Sequence, residues 1–200
     1  MIRTTLLDYG VGNLHSLAKA VAGPGVEVVV EADPMAAIAT DRLVLPGVGA
    51  FTPAAERLGP AREAVRQALL AGLPCLGICL GMQLLLEASE EGPGLGLGVI
   101  AGRVRRLRTA RLPQIGWNRI EDASDAAFER APLALAYYAN SYVADPTDPT
   151  SVVAWSTHES DRFPAAVRRG NTLGVQFHPE KSSAAGLAFL RSWVATGEPR

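Results

Sequence analysis

The sequence predicts an α/β fold: a mostly parallel central sheet flanked by helices, with antiparallel strands added in the C-terminal half. Three observations carry this. The first half of the chain alternates short apolar runs with amphipathic stretches, as successive strand–helix units do. The second half holds short strand-like runs joined by turn-rich segments, and an amphipathic stretch only at its end. Apolar residues make up 48% and charged ones 20% of 200 residues, so the chain can bury a substantial core in a single domain over 1–200.

The elements follow in order. Residues 2–7 read as a buried strand, 13–21 as a helix and 26–30 as a second strand. A short helix is expected over 34–39, and a strand over 43–45 that stops at Pro46. Ala64, Val65, Ala68 and Leu69 recur at helical spacing, which predicts a helix over 61–70. Residues 74–78 form the next strand and 80–87 the next helix. The later strands are expected over 99–107, 117–120, 133–138, 151–155, 165–168 and 173–177. A closing helix runs over 184–195, with Ser182 or Ser183 as its N-cap. Glu90 to Gly98 (EEGPGLGLG) is glycine-rich but too short to separate domains.

Several function classes are disfavoured at this level. A net charge of −1 gives no bulk attraction to nucleic acid or anionic lipid. The apolar runs are too short and too glycine-interrupted to span a bilayer. MIRTTLLDYG lacks the apolar core and cleavage site of a signal peptide. Two cysteines without a secretion signal point to a reducing, cytoplasmic setting in which a disulfide is not expected. No second ligand pair accompanies Cys75 and Cys79 at metal-binding spacing.

The chemistry centres on CLGICLG at 75–81. Its second cysteine, Cys79, lies between Gly77 and Gly81, after a short strand and before a helix. That is the context of a nucleophile elbow, in which bulk two residues away is forbidden and the helix N-terminus favours a thiolate. A buried cysteine in a glycine-tolerant core strand fits the same five residues. Cys75 lacks the glycine flanks and reads as core. Of three histidines, His15 lies in a helical stretch and His158 in the polar loop THESDR. His178 ends an apolar strand and is followed by Pro179 and Glu180. In extended backbone residues two apart share a face, so Glu180 can reach and orient the His178 imidazole. A cysteine at a strand–helix turn, with a carboxylate-oriented histidine, meets the needs of nucleophilic acyl transfer.

GICLGMQ (77–83) and GVQFHPEKS (174–182) resemble the triad class of glutamine amidotransferases. LDYGVGNLHS (7–16), LPGVGAF (45–51), PQIGWN (113–118) and YYANSY (137–142) resemble one branch of it, the glutaminase subunits of imidazole glycerol phosphate synthases. Two positions depart from that pattern: Gln114-Ile115 precedes Gly116, and Asn140 stands where a histidine is often seen.

The resemblance implies that Cys79 attacks the glutamine side-chain amide, with His178 as acid and base and Glu180 orienting it. It places the oxyanion against Leu80 and the Gly47-Val48-Gly49 loop. It places glutamine near Gln83, Glu91 and the Asn140-Ser141-Tyr142 backbone. It implies no cofactor, no metal, no nucleic acid and no membrane partner. Ammonia is expected to pass to a separate (β/α)8-barrel cyclase subunit, forming a heterodimer, with Asn13 and Trp117 at the interface. Trp117 also reads as an ordinary core aromatic. A glutaminase serving another acceptor synthase and a catalytically silent scaffold subunit are the competing readings. Two further motifs invite function. GVGNLH (10–15) imitates a dinucleotide fingerprint but has His15 where the third glycine belongs. RVRRLR (103–108) reads as a solvated face, or as a patch toward an acidic partner surface.

Overall fold

The computed structural model describes residues 1–10 and 14–196. In chain order it contains β1 (Ile2–Leu7), α1 (Leu14–Val21), β2 (Val26–Glu31), α2 (Pro34–Ala37), β3 (Arg42–Leu45), α3 (Phe51–Leu58) and α4 (Arg62–Leu70). There follow β4 (Cys75–Ile78), α5 (Leu80–Gln83), β5 (Ala88–Ser89), β6 (Gly102–Arg106), β7 (Gln114–Arg119) and α6 (Ala126–Arg130). The chain continues through β8 (Leu135–Asn140), β9 (Tyr142–Pro146), β10 (Val152–His158), β11 (Asp161–Arg169), β12 (Thr172–Val175) and α7 (Ser183–Thr196).

Seven strands form the central sheet in the order β10-β11-β12-β4-β3-β1-β2. From β12 to β2 every pairing is parallel; β10 and β11 extend the sheet antiparallel. Beside it lie a three-stranded sheet, β5-β6-β9, and the two-stranded ribbon β7-β8. The expected parallel sheet with antiparallel additions is therefore the fold observed.

Strand alternation divides the core in two. Leu6, Val44, Leu76 and Ile78 face one side and pack with Leu17 and Val21 of α1 and Phe189, Leu190 and Trp193 of α7. Leu7, Leu43, Leu45 and Cys75 face the other, against Phe51 and Leu58 of α3 and Val65 and Leu69 of α4. The two cysteines thus belong to opposite layers, Cys79 with the first and Cys75 with the second, and both thiols are free.

Several elements differ from expectation. The helix expected over 80–87 ends at Gln83. The carbonyls of Leu84, Leu85 and Leu86 accept instead from the N–H groups of Leu97, Ile100 and Gly98, so the glycine-rich segment takes bonds a longer helix would have used. Helix α3 was not expected, because Pro53 breaks its apolar pattern. Pro53 sits in the first turn, where an N–H has no helical partner to lose. Strand β9 and helix α6 were likewise unexpected, and the strand expected over 173–177 ends at Val175. Ser182 precedes α7, but its hydroxyl donates back to the His178 carbonyl rather than capping the helix. Residues 11–13 of the GVGNLH motif, Asn13 among them, lie outside the described residues. Among those described, no helix is long and apolar enough to cross a membrane.

The basic run is neither a solvated face nor an open patch throughout. Arg103 and Arg106 are exposed, but Arg105 is buried. Its guanidinium grips Asp161 with two bonds of 2.7 and 2.9 Å, and Asp161 also accepts the Arg108 N–H at 2.7 Å. This pair ties β6 to the start of β11.

Candidate active site

The turn after β4 is built by close packing. Cys79 has φ 47° and ψ −103°, a conformation that non-glycine residues avoid. Its N–H donates to the Val175 carbonyl at 2.7 Å and its own carbonyl accepts the Gln83 N–H at 3.0 Å. A Cβ at Gly77 would lie 2.7 Å from the Gly81 backbone, and one at Gly81 would lie 2.0 Å from the Leu45 carbonyl oxygen. A Cβ at Gly47 would lie 2.8 Å from the Ile78 carbonyl oxygen, so the loop after β3 rests directly on the elbow. Gly49 in that loop has φ 115°, open to glycine but strained for other residues. Leu80 opens α5, so its N–H has no partner within the helix. With α5 only four residues long, the expected dipole support for a thiolate is small.

His178 is held beside Cys79 by the parallel pairing of β12 with β4, in which Val175 stands opposite Ile78. The His178 N–H donates to the Tyr137 carbonyl at 2.9 Å. The Ser182 hydroxyl donates to the His178 carbonyl at 2.6 Å and accepts the Tyr137 N–H at 2.9 Å. The preceding residue, Phe177, packs among the rings of Phe128, Tyr138 and Phe189 at centroid distances of 6.4, 6.0 and 5.9 Å. Such ring pairs contribute roughly 0.5–1.5 kcal/mol each beyond area burial.

Nδ1 of His178 lies 2.8 Å from Oε1 of Glu180. A carboxylate only accepts, so Nδ1 carries the proton and Nε2 is left for Cys79. The contact arises differently from expectation. Pro179–Lys181 is a 3-10 turn, not extended backbone, and the turn brings Glu180 back onto the ring. Burial works against a charged His178, but hydrogen bonds to Cys79 and Glu180, with their negative charges, outweigh it and raise its pKa to about 10.

A pocket of about 270 Å³ opens at the elbow. Every residue proposed from the sequence for oxyanion or glutamine binding lines it: Gly47, Val48, Gly49 and Leu80, then Gln83, Glu91, Asn140, Ser141 and Tyr142. Cys79 and His178 line it too, whereas Glu180 stands behind His178 and lines a neighbouring cavity. Gln83 and Asn140 both donate to the Tyr142 carbonyl at 3.0 Å, which fixes that wall. Glu91 accepts the Phe51 N–H at 3.0 Å, tying the pocket edge to the start of α3. Trp117 is 52% exposed and meets Tyr137 edge-on at 6.3 Å, so the core reading of that side chain is set aside. His15 is exposed, and His158 bonds the Arg111 carbonyl at 3.1 Å on a different part of the surface.

Sequence reasoning missed two neighbours of Cys79. Lys181 lines the pocket, and Gln176 reaches Sγ of Cys79 with its side chain. Both lie within GVQFHPEKS, and their places in that motif were the available signal.

The fold and the pocket define a glutamine amidotransferase. A model of the glutamine amidotransferase class-I family matches residues 5–194, and the chain belongs to that family. Its fold resembles a solved glutamine amidotransferase at TM-score 0.73 and 21% identity, covering 96% of this chain and 98% of that one. It also resembles a chain of PurLQS from Thermotoga maritima at TM-score 0.69 and 19% identity, covering 98% and 99%. Within the class, the chain groups with the imidazole glycerol phosphate synthase subunit HisH proteins. It is 47% identical to that of Symbiobacterium thermophilum over 199 residues, covering 96% of this chain and 93% of the relative. It is 43% identical to that of Gloeobacter violaceus over 203 residues, covering 98% and 90%.

Proposed function

We propose that this chain hydrolyses glutamine to glutamate and ammonia, as the glutaminase subunit of an imidazole glycerol phosphate synthase in histidine biosynthesis. The observation that carries the reading is one juxtaposition. The elbow thiol of Cys79 stands beside the hydrogen-bonded His178–Glu180 pair, in a pocket lined by Gln83, Glu91 and the Asn140 to Tyr142 wall.

In this reading the Cys79 thiolate attacks the amide carbon of the glutamine side chain. The oxyanion forms against the Leu80 N–H and the Gly47 to Gly49 loop, where losing one donor typically costs about 3–4 kcal/mol. His178, charged at neutral pH, protonates the departing nitrogen, which leaves as ammonia. Neutral His178 then takes a proton from water as its oxygen attacks the thioester. Collapse returns the thiolate and releases glutamate. Glu180 holds the imidazole tautomer in both steps.

Ammonia passes to a separate (β/α)8-barrel cyclase subunit. The outer face of the β7-β8 ribbon supports a docking role. Ile115, Trp117 and Leu135 are 67%, 52% and 47% exposed there, and Ala139 on the same face also lines the pocket. A partner seated on this face lies close to where ammonia forms.

The test is Cys79→Ala in the complex with the cyclase. Glutamine-dependent synthesis should vanish while ammonia-dependent synthesis survives, and Cys75→Ala should retain both. Full glutaminase activity in Cys79→Ala overturns the reading.

A further inference from the structure

We infer that Gln176 is a further catalytic residue, whose side-chain amide donates an N–H to Sγ of Cys79 and stabilises the attacking thiolate. The inference rests on the reading of Cys79 as nucleophile.

Gln176 is fully buried, two residues before His178. Its backbone N–H is fixed to the Ala165 carbonyl at 2.8 Å. Its side chain runs beneath the elbow, with Nε2 3.4 Å from Sγ. Its Oε1 lies 3.4 Å from Nε2 of Gln83.

The orientation of this amide follows from a chain of obligatory roles. The Tyr142 carbonyl can only accept, and it is 3.0 Å from a side-chain nitrogen of Gln83, so that nitrogen is a donor. The Gln176 atom facing the same nitrogen must then be oxygen, which turns its NH2 toward the sulfur. Gln83 therefore does two things: it lines the glutamine pocket and it sets the hand of the Gln176 amide. A neutral donor to a charged acceptor makes a stronger bond than to a neutral one, so the contact favours thiolate over thiol.

The ionisable neighbours of Cys79 are few. His178 meets it directly, with Glu180 behind, while Glu91, Tyr142 and Lys181 line the same pocket from the loop after β5, from β9 and from the turn after His178. None of them is altered by a change at Gln176. Met at 176 matches the length of Gln but offers no N–H.

The experiment is the pH dependence of Cys79 alkylation by iodoacetamide, read by peptide mass spectrometry in the intact chain. Both cysteines fall in the tryptic peptide 67–103, so fragmentation of that peptide assigns the label to Cys79 or to the fully buried Cys75. In Gln176→Met the alkylation midpoint should rise by about one to two pH units relative to the parent. At a pH below both midpoints the rate should fall about tenfold to a hundredfold. A second measurement needs no substitution at 176. In the parent labelled with 15N-glutamine, the Gln176 side-chain amide protons should titrate with the alkylation midpoint, and that titration should vanish in Cys79→Ser. Coincident alkylation profiles in parent and Gln176→Met, or an amide titration indifferent to Cys79, overturns the inference. These readouts use neither glutamine nor partner. Failure of the parent complex to hydrolyse glutamine would instead sink the proposed function and leave the alkylation result standing.

Discussion

Alanine at Gly81 tests whether the elbow's packing sets the chemistry. The added Cβ would lie 2.0 Å from the carbonyl oxygen of Leu45, 2.6 Å from its carbonyl carbon and 2.8 Å from its Cβ. Carbon–oxygen contacts ordinarily begin near about 3.3 Å, so α5 must retreat from β3 by more than about 1 Å. Two of the atoms it strikes are backbone atoms of a central parallel strand, so no side-chain rotation relieves the clash. Cys79 lies two residues before Gly81, and its thiol moves with the turn. Misplacing a reacting group by about 1 Å costs on the order of 100-fold. That equals roughly 2.7 kcal/mol of transition-state stabilisation at about 1.36 kcal/mol per tenfold. The assay is kcat/KM for glutamine hydrolysis in the complex, with a thermal melt to establish that the variant folds. Glu56→Ala is the control, because Glu56 is an exposed residue within α3. It should stay within about twofold of the parent, as surface substitutions away from special contacts usually do. A folded Gly81→Ala protein with activity within about threefold of the parent would refute the positional argument.

Arg105→Met leaves Asp161 buried without its ion partner and should cost about 3–5 kcal/mol in urea denaturation at neutral pH; a loss under about 1 kcal/mol would refute the clamp. Burial pushes the Asp161 carboxyl up, but its bonds from Arg105 and the Arg108 N–H outweigh this and hold it below the usual range. The stability it contributes is therefore present above the unfolded value of about 3.9 and is lost as pH falls through the folded one. His178 has the opposite sign: its contribution is full below the unfolded value of about 6.5 and fades as pH rises toward about 10. Glu180→Gln should bring the His178 NMR midpoint down and cut glutamine turnover by up to about 10⁴-fold; an unmoved midpoint would count against the pairing. Trp117→Ala should weaken partner affinity by about 30-fold, the effect of removing a side chain worth about 2 kcal/mol, with the melting temperature unchanged.

What the sequence made legible was governed by local rules, and what escaped was governed by distant partners. Strands β1 and β3 show because their residues are largely buried on both faces, so IRTTLL and RLVL read as mostly apolar runs without a long polar interruption. The elbow shows because close approach demands glycine at both flanks. Helix α3 was hidden because its first N–H is taken by Glu91, forty residues on, and because Pro53 masks the apolar period. Arg105 was hidden for a related reason: nothing within RVRRLR distinguishes the one guanidinium that meets a buried carboxylate on another strand. The short α5 is the same case again, since the Leu84 to Leu86 carbonyls find their donors in a loop ten or more residues downstream.

The candidate triad depends on one register. Cys79 and His178 are almost a hundred residues apart, and a single parallel pairing, β4 on β12, closes the distance. Thr172 to Val175 stand opposite Cys75 to Ile78, and the Cys79 N–H continues the ladder to Val175. A slip by one residue would turn each side chain on β12 to the other face of the sheet. Leu173 would leave the layer it shares with Leu76 and Ile78, and His178 would move off the face that Cys79 occupies. Gly174 helps exclude that slip. A Cβ there would lie 2.8 Å from Met82, the residue directly after the Gly81 contact with β3. The pairing that brings the imidazole to the thiol is therefore enforced by packing beneath the elbow, at residues that take no part in the chemistry themselves.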